Sequence, residues 1–187
     1  MELIVSNYIC LKGTSELARQ NEALLLERFP GEFVENAMGL NREIGQINDS
    51  SKLKIGETDG FTGKTGGTTK GEIGNLGAAL TIEVADTGIF GALWELAEHF
   101  ESGLLVDLFS IPIRQETIEV CECFDKNPYR LASWDCLLIA VEGATALVWR
   151  LRESGYPATI IGHLTPGKDR LILCDGRRQY LTPPERG

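Results

Sequence analysis

The chain has 187 residues, 43% hydrophobic and 24% charged, with a formal net charge of −9. That length fits one domain or one and a half, the composition is that of a soluble globular protein, and an acidic balance with no clustered Lys/Arg face argues against nucleic acid or an acidic membrane as partner. No run approaches the roughly 18 apolar residues of a membrane span, no basic segment precedes an apolar one at the N-terminus, and five scattered cysteines fit reduced thiols in the cytoplasm.

Residues 3–10 form a short apolar run and read as a strand. Lys12 and Gly13 then predict a turn, and Thr14 or Ser15 can cap a helix that carries Leu17, Ala18, Leu24, Leu25 and Phe29 on one face. Pro30-Gly31 ends it, and a weaker helix is expected over residues 32–40. Residues 55–78 are different in kind. Eight glycines stand among Thr, Lys, Glu and Asp with little to bury, which predicts a flexible loop. Within it, Gly63-Lys64-Thr65 resembles the end of a phosphate-binding P-loop, but the earlier glycine of that pattern is Thr58.

Residues 79–84 alternate and are β-branched, so a strand is expected. Asp86 and Thr87 can accept the free N–H groups of a helix's first turn, and Gly88 permits a sharp backbone turn. Apolar residues then recur at Ile89, Leu93, Leu96, Ala97 and Phe100, one face of a helix. A strand, a tight polar turn and a helix N-terminus make a ready anion site. A well-capped core helix writes the same pattern. Glu83 and Asp86 at the strand end could hold a metal or a proton, though such carboxylates are more often a cap and a solvated neighbour.

Further on, residues 104–108 predict a strand and residues 114–125 a helix with Ile118, Cys121 and Phe124 inward, stopped by Asn127-Pro128. Residues 135–141 read as a strand buried on both faces. Ala144, Leu147, Val148 and Leu151 mark another helix, residues 158–164 a strand, and residues 171–181 a hairpin about Asp175-Gly176. The fold class is α+β, a mixed sheet covered by helices. Residues 1–54 and 79–187 belong to one domain, with 55–78 as its loop. Leu93, Leu96, Ile118, Phe124, Leu138, Ile139, Leu147, Leu151, Ile160 and Ile161 are expected to be buried together. Cys121 and Cys123, two apart on a helix, diverge by about 200° and do not share a metal. His99 and His163 lack partners at zinc-ligand spacing, so no metal site is expected, nor any catalytic residue.

Several segments in order carry a family resemblance. Tyr8-Ile-Cys-Leu-Lys-Gly-Thr14, Arg28-Phe-Pro30, Gly88-Ile-Phe-Gly-Ala-Leu-Trp-Glu-Leu-Ala-Glu98, Ile111-Pro-Ile-Arg-Gln-Glu-Thr-Ile118 and Ile161-Gly-His-Leu-Thr165 resemble the C-terminal domain of the aminoimidazole ribonucleotide (AIR) synthase superfamily, most nearly AIR-synthase-related hydrogenase maturation factors of the carbamoyl-dehydratase kind. The resemblance implies an ATP-dependent chemistry that activates an amide or acid oxygen or transfers a phosphoryl group. It also implies an N-terminal domain that forms the dimer and holds most of the ATP and Mg²⁺ ligands. The C-terminal domain closes over that site with its Gly-rich turns toward the phosphates.

The chain departs from the pattern at those turns. The usual His-Asp is Ile82-Glu83, the usual Thr-x-Gly-Gly turn is Ala85-Asp-Thr-Gly88, and an expected Gly and acidic residue are Cys10 and Lys12. The chain begins where the second domain of the family would begin. The resemblance therefore implies a phosphate-facing set of Gly13, Thr14, Glu83, Asp86, Thr87 and Gly88, weak and inactive alone. ATP and Mg²⁺ would enter only if a separate N-terminal AIR-synthase-like polypeptide completed the site. A domain without that partner would expose an apolar patch of Tyr8, Ile9, Leu11, Ile89, Phe90 and Trp94, suited to that polypeptide or to self-association. For Phe90 and Trp94 the alternative is that they widen the buried face of their helix; for the chain as a whole it is that the fold serves as a non-catalytic interaction or regulatory module.

Overall fold

Alternation in the first strand sets the plan. In β1 (Glu2–Ser6), Leu3 and Val5 point to one side and Ile4 to the other, and all three are fully buried. A strand buried on both faces must lie inside a sheet with cover on each side. The structure, a computed structural model, describes residues 1–47, 78–134 and 136–184. Of the glycine-rich segment 55–78 expected as a loop, residues 55–77, with Gly63-Lys64-Thr65, lie outside the described residues, and Ala78 opens a strand.

Among the described residues the sheet has seven strands. Beside β1 they are β2 (Ala78–Glu83), β3 (Gly103–Asp107), β4 (Leu137–Val141), β5 (Ala158–Thr165), β6 (Arg170–Cys174) and β7 (Arg177–Tyr180), in the spatial order β2-β4-β1-β5-β3-β6-β7. Neighbours pair antiparallel except β3 and β6, which run parallel. The sheet is therefore mixed, and the fold is α+β as expected. The β1–β5 register shifts between Leu3, opposite Gly162, and Ile4, opposite Ile160. Ile161 is the extra residue of that bulge, so Ile160 and Ile161 serve opposite faces.

One face packs on α4 (Gly88–His99). Its Ile89, Leu93, Leu96 and Ala97 are fully buried against Leu3, Val5, Leu138 and Ile161. The other face packs on α6 (Ala144–Glu153) through Leu147, Val148 and Leu151, which meet Ile4, Ile139 and Ile160. A third cluster joins α1 (Leu11–Gln20), α2 (Glu22–Leu26), α3 (Gly31–Ile47) and α5 (Gln115–Cys123) through Ala18, Leu25, Val34, Ala37 and Val120. The expected single core is thus three clusters. Phe124 joins the third as a partly buried residue, and Ile118 stands 40% exposed. On α5 the inward face is Thr117, Val120 and Cys121, so that helix is rotated from the expected orientation.

The first helix also differs. It begins at Leu11, two residues before the expected turn ends, because Cys10 takes a left-handed φ of 62° and turns the chain itself. Thr14 and Ser15 lie within the helix and do not cap it. Their hydroxyls donate to the carbonyls of Cys10 (2.7 Å) and Met38 (2.5 Å). The helix breaks at Asn21, whose side chain donates to the Leu17 carbonyl, and Leu24 consequently faces solvent. The second expected helix, α3, is longer than residues 32–40. At the C-terminus the hairpin is as expected: Asp175 (φ 49°) and Gly176 (φ 72°) join β6 to β7.

Candidate functional site

Strand β2 ends at Glu83, and the chain crosses Val84 and Ala85 before α4 begins. The turn is closed by the Gly88 N–H donating to the Ala85 carbonyl at 3.2 Å. Gly88 has φ +65°, and a Cβ there would stand 2.6 Å from the Tyr129 carbonyl oxygen. Glycine is needed both for the conformation and for the close approach. Asp86 and Thr87 are exposed, and Thr87, at the N-cap, makes no side-chain cap bond. The expected side-chain cap is therefore absent at Thr87. Its side chain lies instead over Gly91, where a Cβ would collide with it. Sequence reasoning assigned Gly91 no part, and its only signal was a second glycine one turn after Gly88.

The two halves of the expected phosphate-facing set meet through one intervening segment, residues 129–133. On one side, Gly88 abuts the Tyr129–Arg130 backbone, and Ser133 N–H donates to the Ala85 carbonyl at 3.1 Å. On the other side, a Cβ at Gly13 would stand 2.9 Å from the Ala132 carbonyl, and the Cys10 N–H donates to the Ser133 hydroxyl. Gly13 and Thr14 thus sit in the first turn of α1, not in a loop. Thr14 is fully buried, its hydroxyl 3.0 Å from that of Thr117. Glu83 is half-buried at the strand end. Beneath α1, the Cys121 thiol is pushed well up by a hydrogen bond with Cys10 and by burial, so it is held as a neutral thiol.

The expected apolar patch is not open surface. Ile9, Leu11 and Ile89 are fully buried in the chain's own core. Tyr8 lies under the Arg114 guanidinium, 4.3 Å from the ring centre. Phe90 stacks on Tyr129, ring centres 5.2 Å apart and planes within 11°. Trp94 lies under the Arg170 guanidinium at 3.9 Å, and Arg170 pairs with Glu98. The chain covers these aromatic rings with its own cations and rings, and Phe90 and Trp94 pack, partly buried, against the main core.

The start of α4 opens onto a cavity of about 490 Å³ between the short 3-10 turn Pro128–Arg130 and the β6–β7 hairpin. Phe90 and Tyr129 form one wall, and Leu108, Ile172 and Leu181 are its apolar lining. Burial pushes the Tyr129 phenol up, and the nearby Cys174 adds to the shift. The sequence signal for this wall was Asn127-Pro128, taken only as a helix stop. Asn127 in fact accepts the Tyr129 N–H at 3.0 Å and aims the next two side chains. Among the described residues no group of three or more His, Cys, Asp or Glu side chains is placed to hold a metal ion.

No family model matches this sequence, and no curated protein matches it. Solved structures do. The hydrogenase maturation protein HypE of E. coli superposes with a TM-score of 0.62 at 17% identity, over 100% of this chain and 50% of that one. The chain has the fold of half of HypE. A HypE in complex with ATP gives 0.63 at 16% identity, over 99% of this chain and 51% of that one. A thiamine-monophosphate kinase from Stenotrophomonas maltophilia K279a gives 0.59 at 18%, over 95% and 51%. Identities this low establish fold. HypE and the kinase are both AIR-synthase-related proteins, and what this chain shares with them is the fold. The chain spans about half the length of each of these neighbours. None of its described helices is long and apolar enough to cross a membrane.

Proposed function

We propose that the chain is an AIR-synthase-like domain of the C-terminal type, forming one wall of an ATP-dependent site that an N-terminal-type domain completes. The observation that carries this is the full-length superposition on half of a HypE that binds ATP. The start of α4 supports it. The Ile89 and Phe90 N–H groups have no acceptor among the described residues, and first-turn N–H groups favour a phosphate. Asp86, Thr87 and Gly88 frame that turn, with Glu83 at its base. Gly13 and Thr14 support it from the far side of residues 129–133. Mg²⁺ and most phosphate contacts then belong to the completing domain, because phosphoryl transfer depends on a metal and several positioned donors. The chain alone binds Mg-ATP weakly and does not hydrolyse it.

Loss of chemistry, with the fold kept as an interaction or regulatory module, is favoured by Ile82. It stands where the family pattern has His, and it is 9% exposed within the main core. Amide chemical shifts of the full chain separate the two. Millimolar Mg-ATP moves the signals of residues 86–90 if the turn faces phosphate. Unmoved signals there, at a concentration that saturates HypE, leave the module.

A further inference from the structure

We propose that the cavity between α4, the Pro128–Arg130 turn and the β6–β7 hairpin binds a small planar aromatic acid, a ligand distinct from the nucleotide proposed at the neighbouring start of α4. Its volume of about 490 Å³ lies within the range of small-molecule sites, roughly 300–1,000 Å³. The chemistry of its lining selects the ligand. Phe90 and Tyr129 bring two parallel rings to one wall, and Tyr180, 71% exposed, brings a third from the hairpin. Aromatic walls favour a flat ring by stacking and edge contact.

Among the described residues, Arg130 is the cation on the lining. The Arg130 guanidinium lies 5.7 Å from the Phe90 ring centre and is held by the Thr182 hydroxyl. No carboxylate pairs with it among the described residues. A guanidinium in a fixed orientation takes a carboxylate through two parallel N–H bonds. Gln179, also on the lining, supplies an amide beside it. One cation among three rings matches one negative charge on an aromatic body. A polyphosphate would need more cations than the cavity offers. In a chain of net charge −9, this local arrangement also sets the sign of the ligand, since the protein's overall field repels anions elsewhere.

The test uses the full chain and three probes: 2-naphthoate, its uncharged analogue 2-naphthamide, and the saturated decalin-2-carboxylate. Calorimetry on the wild type should rank 2-naphthoate first, with the other two about tenfold weaker or more. Amide shifts should move at residues 127–130 and 179–182. Arg130→Gln should weaken 2-naphthoate about tenfold while leaving 2-naphthamide within about twofold; the unchanged amide shows that the cavity persists. Tyr180→Ala, at an exposed position, should weaken both aromatic probes. Equal affinity for acid and amide, equal affinity for the saturated acid, no binding of 2-naphthoate at millimolar concentration, or shifts confined to residues away from the cavity lining would each overturn the proposal.

Discussion

Replacing Gly88 by Ala tests whether the turn into α4 is held by the segment behind it. Two costs add. The left-handed φ of +65° costs an L-residue about 1–2 kcal/mol. The new Cβ would also stand 2.6 Å from the Tyr129 carbonyl oxygen and 2.7 Å from the Arg130 carbonyl carbon, so the backbone must retreat by about 0.8 Å to reach ordinary contact. Forcing such a shift in a close-packed region costs about 1–3 kcal/mol. Gly88→Ala should therefore destabilise the chain by about 2–5 kcal/mol. Gly143 provides the control. Its φ is +72°, but nothing lies within 4 Å of its Cβ position, so Gly143→Ala should cost only the conformational part, about 1–2 kcal/mol. Urea unfolding followed by far-ultraviolet circular dichroism gives both values. Equal losses, within about 0.5 kcal/mol, would refute the close approach of residues 129–130 to the turn.

Leu96→Ala removes a fully buried side chain from the main core and should cost about 2–5 kcal/mol in the same assay. Ile118→Ala, at a residue 40% exposed, should stay below about 1 kcal/mol, and a loss as large as that of Leu96 would restore the expected helix orientation. Phe90→Asp should unfold or strongly destabilise the chain, because Phe90 is stacked on Tyr129; a folded mutant that turns monomeric by light scattering would instead make Phe90 an interface. Stability should also fall at high pH. Cys121 and Tyr129 have folded-state values raised above 9.0 and 10.0 respectively, so the protonated forms are favoured by folding. That contribution is complete below about pH 9 and declines above it, by at most about 1.4 kcal/mol per pH unit for each group. Cys121→Ala should remove the earlier part of the decline, as read from denaturation midpoints between pH 8 and 11.

Long periodic stretches were legible in the sequence. Ile89, Leu93, Leu96 and Ala97 declared the buried face of α4, and the near-continuous apolar run ending at Val141 declared a strand covered on both sides. Asp175-Gly176 declared the hairpin. Where Ser and Thr carried the reading, it failed, because their hydroxyls have more than one use. Thr14 and Ser15 look like caps, yet the Thr14 hydroxyl bonds back to the carbonyl of Cys10 and the Ser15 hydroxyl to that of Met38 in α3. The turn was made by Cys10, a residue with no such signal. Ile118 was misplaced because α5 rests on other helices, so its inward face follows α1 and α3 and not the sheet. Ile9, Leu11 and Ile89 looked like an uncovered patch because their cover is supplied by residues distant in sequence. The cavity wall was hidden for the same reason: Phe90, Tyr129 and Tyr180 are brought together only by the sheet order.

In the proposed function this fold supplies one wall of an ATP site that another domain finishes. Calorimetric titration of the chain alone with Mg-ATP, with phosphate release followed on the same sample, should give a dissociation constant in the millimolar range and no release of phosphate. A micromolar dissociation constant, or turnover by the chain alone, would refute the proposal.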